Sequence, residues 1–298
     1  MGPADRPFTV NGVLPQLHEP VMLVNLTGWI DASGAGAAAV EHAARLSDTV
    51  EIITFDGDSF IDYRARRPVM EIRQGVNAGV RWTVPIIRFA HDAKGKDLLL
   101  LSGPEPDFAW QHFCGAVADI AVELGVTQMI GLGAYPYGSP HTRKVRLTHT
   151  TPDPAVSARM NHDRNTLDVP AGVTSCLELE MHARGIPALT FWAQVPHYVA
   201  TMQFSAASAA LIEAVRVETG LAIDSSLLDE EAAVQRERLD NLVGGNPEHA
   251  EMITKLEQAY DAAHSPAALE IVTDLPSAEQ LAEEVERFLR EQQSGEQQ

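Results

Sequence analysis

Four consecutive leucines at residues 98–101, followed by Ser102 and Gly103, are the feature of this sequence that most restricts its fold. Side chains alternate between the two faces of a strand, so an unbroken apolar run predicts a strand buried on both faces. Further strands are expected at residues 21–26, 50–55, 127–133, 144–151 and 187–195. Segments of helical periodicity lie between them, at residues 34–46, 108–124, 175–184 and 206–219. The alternation predicts an α/β fold with a parallel or mixed sheet and helices on both faces.

The character of the chain changes near residue 224. Beyond it, strand signals mostly stop, and helices are expected at residues 227–243, 248–263 and from Ser277 onward, before a polar tail at 291–298. Residues 213–298 carry 20 acidic and 6 basic residues, a net charge of −14, whereas the first 212 residues carry only −5. We therefore predict an α/β/α core at residues 1–223 and an acidic helical subdomain with a disordered tail at 224–298.

The overall charge restricts the classes of partner. The chain of 298 residues has 22 Lys and Arg against 41 Asp and Glu, a formal charge of −19. This excess argues against binding to nucleic acid and to anionic lipid, both of which need clustered cations. No apolar run approaches the roughly 18 residues of a membrane span, and the first residues lack the order of a signal peptide. With only Cys114 and Cys176, neither a disulfide framework nor a cysteine zinc site is encoded. We expect a cytoplasmic protein without a metal or cofactor.

A glycine-rich segment allows two interpretations. Residues 34–39, GAGAAA, match the G-x-G-x-x-A spacing of a dinucleotide-binding turn, and Asp56 follows at the distance of a ribose-binding acid. However, residues 27–33 separate the first strand from Gly34, whereas such a turn follows its strand directly. We favour close packing of a helix on the sheet through small residues.

Other local motifs give little support for catalysis. Asp56, Asp58 and Asp62 resemble part of a calcium-binding loop, but Arg67 stands where the closing Glu is needed, so a solvated turn is the better interpretation. The sequence has no HExxH metal motif and no GxSxG nucleophile turn. Because no recognised catalytic constellation is present, the residues favour a protein that is not an enzyme without deciding the question.

Polar clusters follow several predicted strands, at residues 28–31, 62–68, 103–107 and 133–143. Within them, Asp107 is also the expected N-cap of the helix at 108–124. The loops after parallel strands gather at one edge of an α/β sheet, where ligands bind. We therefore expect one ligand-binding cleft lined by Gly28, Trp29, Asp31, Tyr63, Arg64, Glu105, His141 and Arg143. The arginines would hold an anion and the aromatic rings a flat group, unless the arginines merely pair with carboxylates.

The same clusters carry a resemblance to a known family. The motifs are GWxD at residues 28–31, DYRxRxP at 62–68, GPEPD at 103–107, PHTR at 140–143, GVTS at 172–175 and VPHY at 195–198. In this order they resemble the actinobacterial branch of the proteasome assembly chaperone 2 family, over roughly residues 15–223 and the acidic helical tail. The resemblance implies a three-layer α/β/α core similar to nucleoside phosphorylases. It also implies a homo-oligomer, with a trimer first and a dimer second, and no catalytic residue.

Two functions are therefore expected. The resemblance implies a non-enzymatic, oligomeric protein that binds another protein, as a chaperone does. The phosphorylase-like fold suggests the alternative, an enzyme or sensor for a small nucleoside- or phosphate-bearing ligand at the strand ends. Assembly chaperones of the family often end in a hydrophobic residue, Tyr and one further residue, whereas this sequence ends in Glu296, Gln297 and Gln298. We expect no docking to a proteasome through such a tail.

Overall fold

The computed structural model of the protein describes residues 6–164 and 166–263. Its strands are β1 (Phe8–Val10), β2 (Val21–Thr27), β3 (Val50–Phe55), β4 (Val69–Arg73), β5 (Val76–Arg81), β6 (Ile86–His91), β7 (Asp97–Pro104), β8 (Gln128–Tyr137), β9 (Leu147–Thr150) and β10 (Ala188–Pro196). Its helices are α1 (Ala35–Arg45), α2 (Gly57–Phe60), α3 (Trp110–Glu123), α4 (Pro154–Arg159), α5 (Val173–Ala183), α6 (Ser205–Thr219), α7 (Ser226–Gly244) and α8 (Pro247–Ala263). Within the described residues, no helix is both long enough and apolar enough to cross a bilayer.

Eight strands form one mixed sheet in the order β1-β3-β6-β7-β2-β8-β10-β9. The central strands β7, β2, β8 and β10 are parallel to one another. β6 is antiparallel to β7 and β3 is antiparallel to β6, so β3 again runs in the direction of the central strands. β1 and β9 are antiparallel strands at the two ends. β4 and β5 form a separate antiparallel hairpin outside this sheet.

The four leucines of β7 show why helices cover both faces. Leu98 and Leu100 belong to one apolar cluster, Leu99 and Leu101 belong to the other, and none is more than 1% exposed. α1 and α6 contribute to the first cluster, and α3 and α5 contribute to the second. Burial of each such side chain stabilises a fold by about 1.5–3 kcal/mol, so both faces need a cover. The predicted three-layer α/β/α fold is confirmed.

Helix α1 approaches the sheet through a glycine. A Cβ atom on Gly36 would lie 2.5 Å from the carbonyl oxygen of Leu132 in β8 and 2.6 Å from Nδ2 of Asn25 in β2. Packed atoms do not approach so closely, so only glycine lets this turn of α1 lie against the sheet. The small residues at 34–39 therefore provide the close packing that the sequence favours.

Helices α7 and α8 lie outside the three layers. Leu228 of α7 is buried in the apolar cluster under α1 and α6. At the start of α6, the backbone N–H of Ser205 donates to Gln235 of α7 at 2.9 Å, and the Ser205 hydroxyl donates to Glu231 at 2.9 Å. An apolar contact and two hydrogen bonds thus join α7 to the core.

Residues 224–263 contain helices and no strand, which agrees with the expected helical appendage. The division of the chain into a core at 1–223 and a subdomain at 224–298 stays a prediction. The helix expected from residue 277 and the polar tail lie outside the described residues.

Several elements differ from the sequence prediction. β1, β6, the hairpin β4–β5 and α4 have no counterpart among the predicted elements. Helix α3 begins at Trp110, after Ala109 in a left-handed backbone conformation, so Asp107 is not its N-cap as expected. The Asp107 carboxylate instead accepts a hydrogen bond from the Asp62 backbone N–H at 2.8 Å and pairs with Arg66 at 3.1 Å. Contacts with the loop after β3 thus take the place of a local cap.

Candidate functional site

The loops that carry the candidate residues do emerge at one edge of the sheet. β2, β7 and β8 are parallel, and their carboxyl ends lie at this edge. β3 has only antiparallel neighbours, contrary to the assumption that every such loop follows a parallel-paired strand. Its carboxyl end still lies at the same edge, because two successive antiparallel pairings restore the strand direction.

Gly28, Trp29 and Glu105 lie together at this edge, joined by two residues outside the expected set, Arg66 and Gly172. A Cβ atom on Gly28 would lie 2.8 Å from Cγ of Glu105 and 3.0 Å from Nη2 of Arg66. A Cβ atom on Gly172 would lie 3.3 Å from Cδ1 of Trp29 and 3.7 Å from Oε2 of Glu105. The loops after β2, β3 and β7 and the start of α5 therefore meet in one place, which we call the edge cluster.

Glu105 is fixed by backbone contacts on both sides. Its backbone N–H donates to the carbonyl oxygen of Thr27 at 2.8 Å, and its Oε2 accepts from the Val173 N–H at 3.2 Å. Gly28 has a φ of 148°, which favours glycine, and a larger residue would meet Glu105. Glu105 is only 9% exposed and its carboxylate accepts from an amide at the start of α5, so its first role is structural.

Asp31 is also committed to the fold. Its Oδ1 accepts from the Gly36 N–H at 2.8 Å and its Oδ2 accepts from the Ala37 N–H at 2.9 Å, both in the first turn of α1. Burial raises the pKa of Asp31, although the hydrogen bonds from Ala37, Gly36 and Asn25 oppose this shift. Because the carboxylate occupies the free amides of α1, it stands where a dinucleotide-binding turn would receive a phosphate.

Asp56 caps a helix in a similar way. It stands at the N-cap of α2, where its carboxylate accepts from the Asp58 backbone N–H at 3.2 Å and from the Ser59 hydroxyl. Within the described residues, no group of three His, Cys, Asp or Glu side chains is arranged to hold a metal ion. The segment at 56–62 is a capped turn followed by the loop that leads to the hairpin.

Tyr63 and Arg64 lie at the base of the hairpin. The Tyr63 ring meets the Trp82 ring edge-on with centroids 4.6 Å apart, and a Cβ atom on Gly57 would clash with the Tyr63 hydroxyl. Partial burial, with the nearby Asp58 and Asp56 carboxylates, raises the pKa of Tyr63. Arg64 is exposed, and only its backbone N–H has a described contact, with Asp62 at 2.8 Å.

His141 and Arg143 instead contact the helical appendage. The His141 ring is buried, with Nδ1 2.7 Å from the Tyr198 hydroxyl and Nε2 3.1 Å from Oδ1 of Asp240 in α7. Arg143 holds the two Asp261 carboxylate oxygens at 2.7 and 2.8 Å and Glu257 at 2.9 Å, both on α8. These bonds, those to Asp261 first, raise the pKa of the Arg143 guanidinium further above its usual value. For Arg143, the structure therefore has the ion-pair arrangement that was the alternative to anion binding.

The eight expected residues thus divide by contact. Gly28, Trp29 and Glu105 meet in the edge cluster; Asp31 caps α1; Tyr63 and Arg64 flank the hairpin; and His141 and Arg143 anchor α7 and α8. Arg66 and Gly172 were not expected as site residues, although both lie in motifs that carry the family resemblance. The ligand-binding role of the eight expected residues stays a prediction.

Three solved structures are close to this fold. A protein of unknown function from Corynebacterium glutamicum has 28% sequence identity and a TM-score of 0.82, covering 88% of this chain and 99% of that chain. A protein of unknown function from Mycobacterium tuberculosis has 31% identity and a TM-score of 0.79, covering 87% and 90%. A proteasome-assembly chaperone homologue from Mycobacterium tuberculosis has 27% identity and a TM-score of 0.73, covering 78% and 99%.

The family comparison agrees with these structures. None of the curated proteins matches this chain. The sequence model of the PAC2 family matches residues 25–243, which include the edge cluster and the loop of His141 and Arg143. The chain therefore belongs to the PAC2 family, the proteasome assembly chaperone 2 family whose actinobacterial branch its motifs resemble.

Proposed function

We propose that this chain is a chaperone-like cytoplasmic protein that binds another protein and catalyses no covalent reaction. One contrast at the strand edge carries the proposal. The carboxylates of Asp31, Glu105 and Asp107 are bonded within the fold, whereas large apolar side chains beside them are exposed. Reactive groups that are already bonded favour structure over catalysis, while exposed aromatic side chains are typical of protein interfaces.

The exposed apolar residues lie in loops at the same edge of the sheet. Trp29 is 53% exposed and Ile30 37% exposed in the loop after β2, and Phe108 is 52% exposed in the loop after the neighbouring strand β7. Trp82, also 53% exposed, precedes β6, which pairs with β7. Aromatic anchors supply much of the binding energy of protein interfaces, so we take these four residues as the binding surface for a partner.

Proteasome subunits are the first partner to test, because one relative of 27% identity is a proteasome-assembly chaperone homologue. The experiment measures binding of the full chain to purified proteasome α subunits from the same organism. We expect the double variant Trp29→Ser, Phe108→Ser to bind about tenfold more weakly or worse, since such anchors contribute more than 1 kcal/mol each. Val217→Ser, at a more exposed position on α6, is the control and should bind like the wild type. Equal binding of the double variant, or no binding by the wild type, would refute this partner.

A small ligand at the edge cluster is the second candidate function. The observation that favours it is the approach of Arg66, Glu105 and Trp29 to the glycine positions 28 and 172, which brings a guanidinium and an aromatic ring to one place. A thermal-shift screen with nucleosides and phosphates should then stabilise the wild type and stabilise Arg66→Ala less. Equal shifts in the two proteins would remove Arg66 from any ligand contact.

We also propose that the chain forms a homo-oligomer, three copies first and two second, as the family resemblance implies. Its net charge of −19 opposes association, so the contact between copies must offset this repulsion. Light scattering at micromolar concentration in physiological salt measures the mass directly, and a monomer would contradict the proposal.

A further inference from the structure

An open cavity of about 660 Å³ lies at the end of the strands opposite the edge cluster. It is bounded by the loop before β2, the turn between β6 and β7, and the end of α6. The edge cluster follows the carboxyl end of β7, whereas this cavity lies at its amino end, about 23 Å away at the usual rise of a strand. All of its lining residues except two glycines carry polar side chains. A volume of this size is typical of a small-molecule site.

Asp92 holds one wall of the cavity, the turn between β6 and β7, against the segment after α6. Its Oδ1 accepts from the backbone N–H groups of Lys94 and Lys96, both at 2.8 Å, and its Oδ2 accepts from the Ala222 N–H at 2.7 Å. Burial opposes the ionisation of this carboxyl, but the three hydrogen bonds and the charge of Lys96 lower its pKa. The Asp92 oxygens are therefore already bonded to amides of the fold.

Asp97 holds a second wall, the loop before β2. The residue is only 7% exposed, and its Oδ2 accepts from the His18 backbone N–H at 2.6 Å. Its Oδ1 lies 2.9 Å from Nδ1 of His91. The two carboxylates thus fix the walls of the cavity, so little conformational freedom is lost when a ligand binds between them.

The polar groups that remain for a ligand are donors. Lys94 and Lys96 are exposed, and in the described part of the chain neither forms an ion pair with a carboxylate. The Lys96 ammonium donates to the carbonyl oxygen of Thr219 at 3.0 Å, which offsets the negative end of α6 and uses one of its three protons. Within residues 6–164 and 166–263, no hydrogen bond occupies the Lys94 ammonium or the His18 ring.

These donors favour an anionic ligand. An ammonium group binds phosphate as a point charge, and the several oxygens of a phosphate can accept from several donors at once. The chain has only four lysines and a net charge of −19, yet two of the lysines line this one cavity. The volume exceeds that of a single ion, which indicates an anion that carries further atoms.

We propose that this cavity binds a small phosphate-bearing molecule, with the phosphate group held by Lys94, Lys96 and the ring of His18. This inference goes beyond the proposed function, since the cavity shares no residue with the edge cluster or with the apolar binding surface. Because the ligand would join the loop before β2, the turn after β6 and the end of α6, its binding should stabilise the folded chain.

Isothermal titration calorimetry of the full chain with inorganic pyrophosphate tests the site, and thermal denaturation with and without pyrophosphate is the second measurement. Lys94→Gln removes one exposed ammonium group, so the fold should be kept while binding weakens about tenfold through the loss of a charged hydrogen bond. Lys144→Gln makes the same substitution at another exposed lysine. It is the matched control and should bind like the wild type.

Arg66→Ala separates this cavity from the edge cluster, which carries the second candidate function. It should bind pyrophosphate like the wild type, and weaker binding would place the anion in the edge cluster and overturn the cavity site. Equal weakening in Lys94→Gln and Lys144→Gln would show a general effect of charge and would also overturn it. Unchanged binding by Lys94→Gln, or no binding by the wild type, would do the same. Binding to proteasome subunits is measured separately and does not depend on this outcome.

Discussion

The loop after β8 and the hairpin after β3 leave the same edge of the sheet, yet they find their partners in different places. The loop at residues 140–144 sends His141, Arg143 and the Lys144 carbonyl oxygen onto α7 and α8 of its own chain. The hairpin keeps its apolar side chains and its two arginines, Arg73 and Arg81, exposed. The difference teaches that a polar strand-end loop can anchor an appendage or offer a surface, and that its local sequence does not decide which.

The largest expected effect concerns His141. Replacing it with alanine removes a buried ring and leaves the Tyr198 hydroxyl and Asp240 without this partner. We expect a loss of about 2–3 kcal/mol in the free energy of unfolding, measured by urea denaturation. Arg64→Ala, at the base of the hairpin, is the control and should stay within about 0.5 kcal/mol of the wild type. Similar losses in both variants would erase the contrast between the two loops.

Tyr198 gives the next effect, since its hydroxyl contacts both the backbone N–H and the ring of His141 at 2.7 Å. Tyr198→Phe should destabilise the protein by about 1–2 kcal/mol at neutral pH, because the buried partners lose a hydrogen bond. Tyr63→Phe is the matched variant beside the hairpin, where no partner of the hydroxyl is described, and it should cost less. Urea denaturation compares the two.

We also expect the ionisation of Tyr198 to make the stability of the protein depend on pH. Burial raises the pKa of Tyr198 to about 12, although the hydrogen bond from His141 opposes the shift and Glu257 and Asp240 add to it. The pKa of Tyr198 in the folded protein therefore lies above its unfolded value near 10. The contribution of Tyr198 to the free energy of unfolding is complete below pH 10 and is lost as the pH rises toward 12. Absorbance titration of the wild type should show a tyrosine that ionises near pH 12 and is missing from Tyr198→Phe. An unchanged titration would refute this assignment.

Arg143→Ala tests whether the loop after β8 holds α8 against local opening. The Arg143 side chain is partly exposed and bonds Asp261 and Glu257, so its loss should speed hydrogen exchange of α8 amides without unfolding the core. Because exposed ion pairs are screened, added salt should reduce the difference from the wild type. Arg184→Ala, which breaks a pair with Asp119 of α3 and a pair with Glu180 of α5, is the control and should leave α8 exchange unchanged.

The smallest expected effect is in the hairpin itself. Met70→Ser with Val76→Ser replaces two exposed side chains, so the free energy of unfolding of the monomeric state should change by less than about 0.5 kcal/mol. A large loss of stability in the monomer would show that the hairpin packs within its own chain.

The central strands were predictable because burial on both faces leaves a continuous apolar run, as at residues 98–101. β6 lacks such a run, because Arg88 interrupts it and bonds Glu41 of α1 at 3.0 Å. The turn of the hairpin was missed because Gln74 is a rare residue at positive φ. A local sequence pattern therefore predicts a strand only where burial by the neighbouring elements requires that pattern of apolar residues.

The edge of the sheet at which the candidate residues lie was predictable from the sequence, but the contacts of these residues were not. Topology places the loops after β2, β3, β7 and β8 on one side, and this needs only strand order and direction. The partners of Arg143 lie at residues 257 and 261, more than 100 positions later, where the sequence shows only an acidic helix. Which carboxylate reaches which arginine depends on how α8 packs, and no local motif records that.

The two-residue turn and the separate pairing of β4 and β5 have a consequence for how this protein can diverge. The hairpin exchanges its backbone hydrogen bonds within itself, outside the main sheet, so substitutions in it do not disturb the strands that hold the core. Gly36, by contrast, admits no larger residue, because β8 lies against it. Related chains are therefore free to acquire new binding preferences in the hairpin, while the three layers of the core stay constrained. The hairpin is also the place to graft a different recognition sequence.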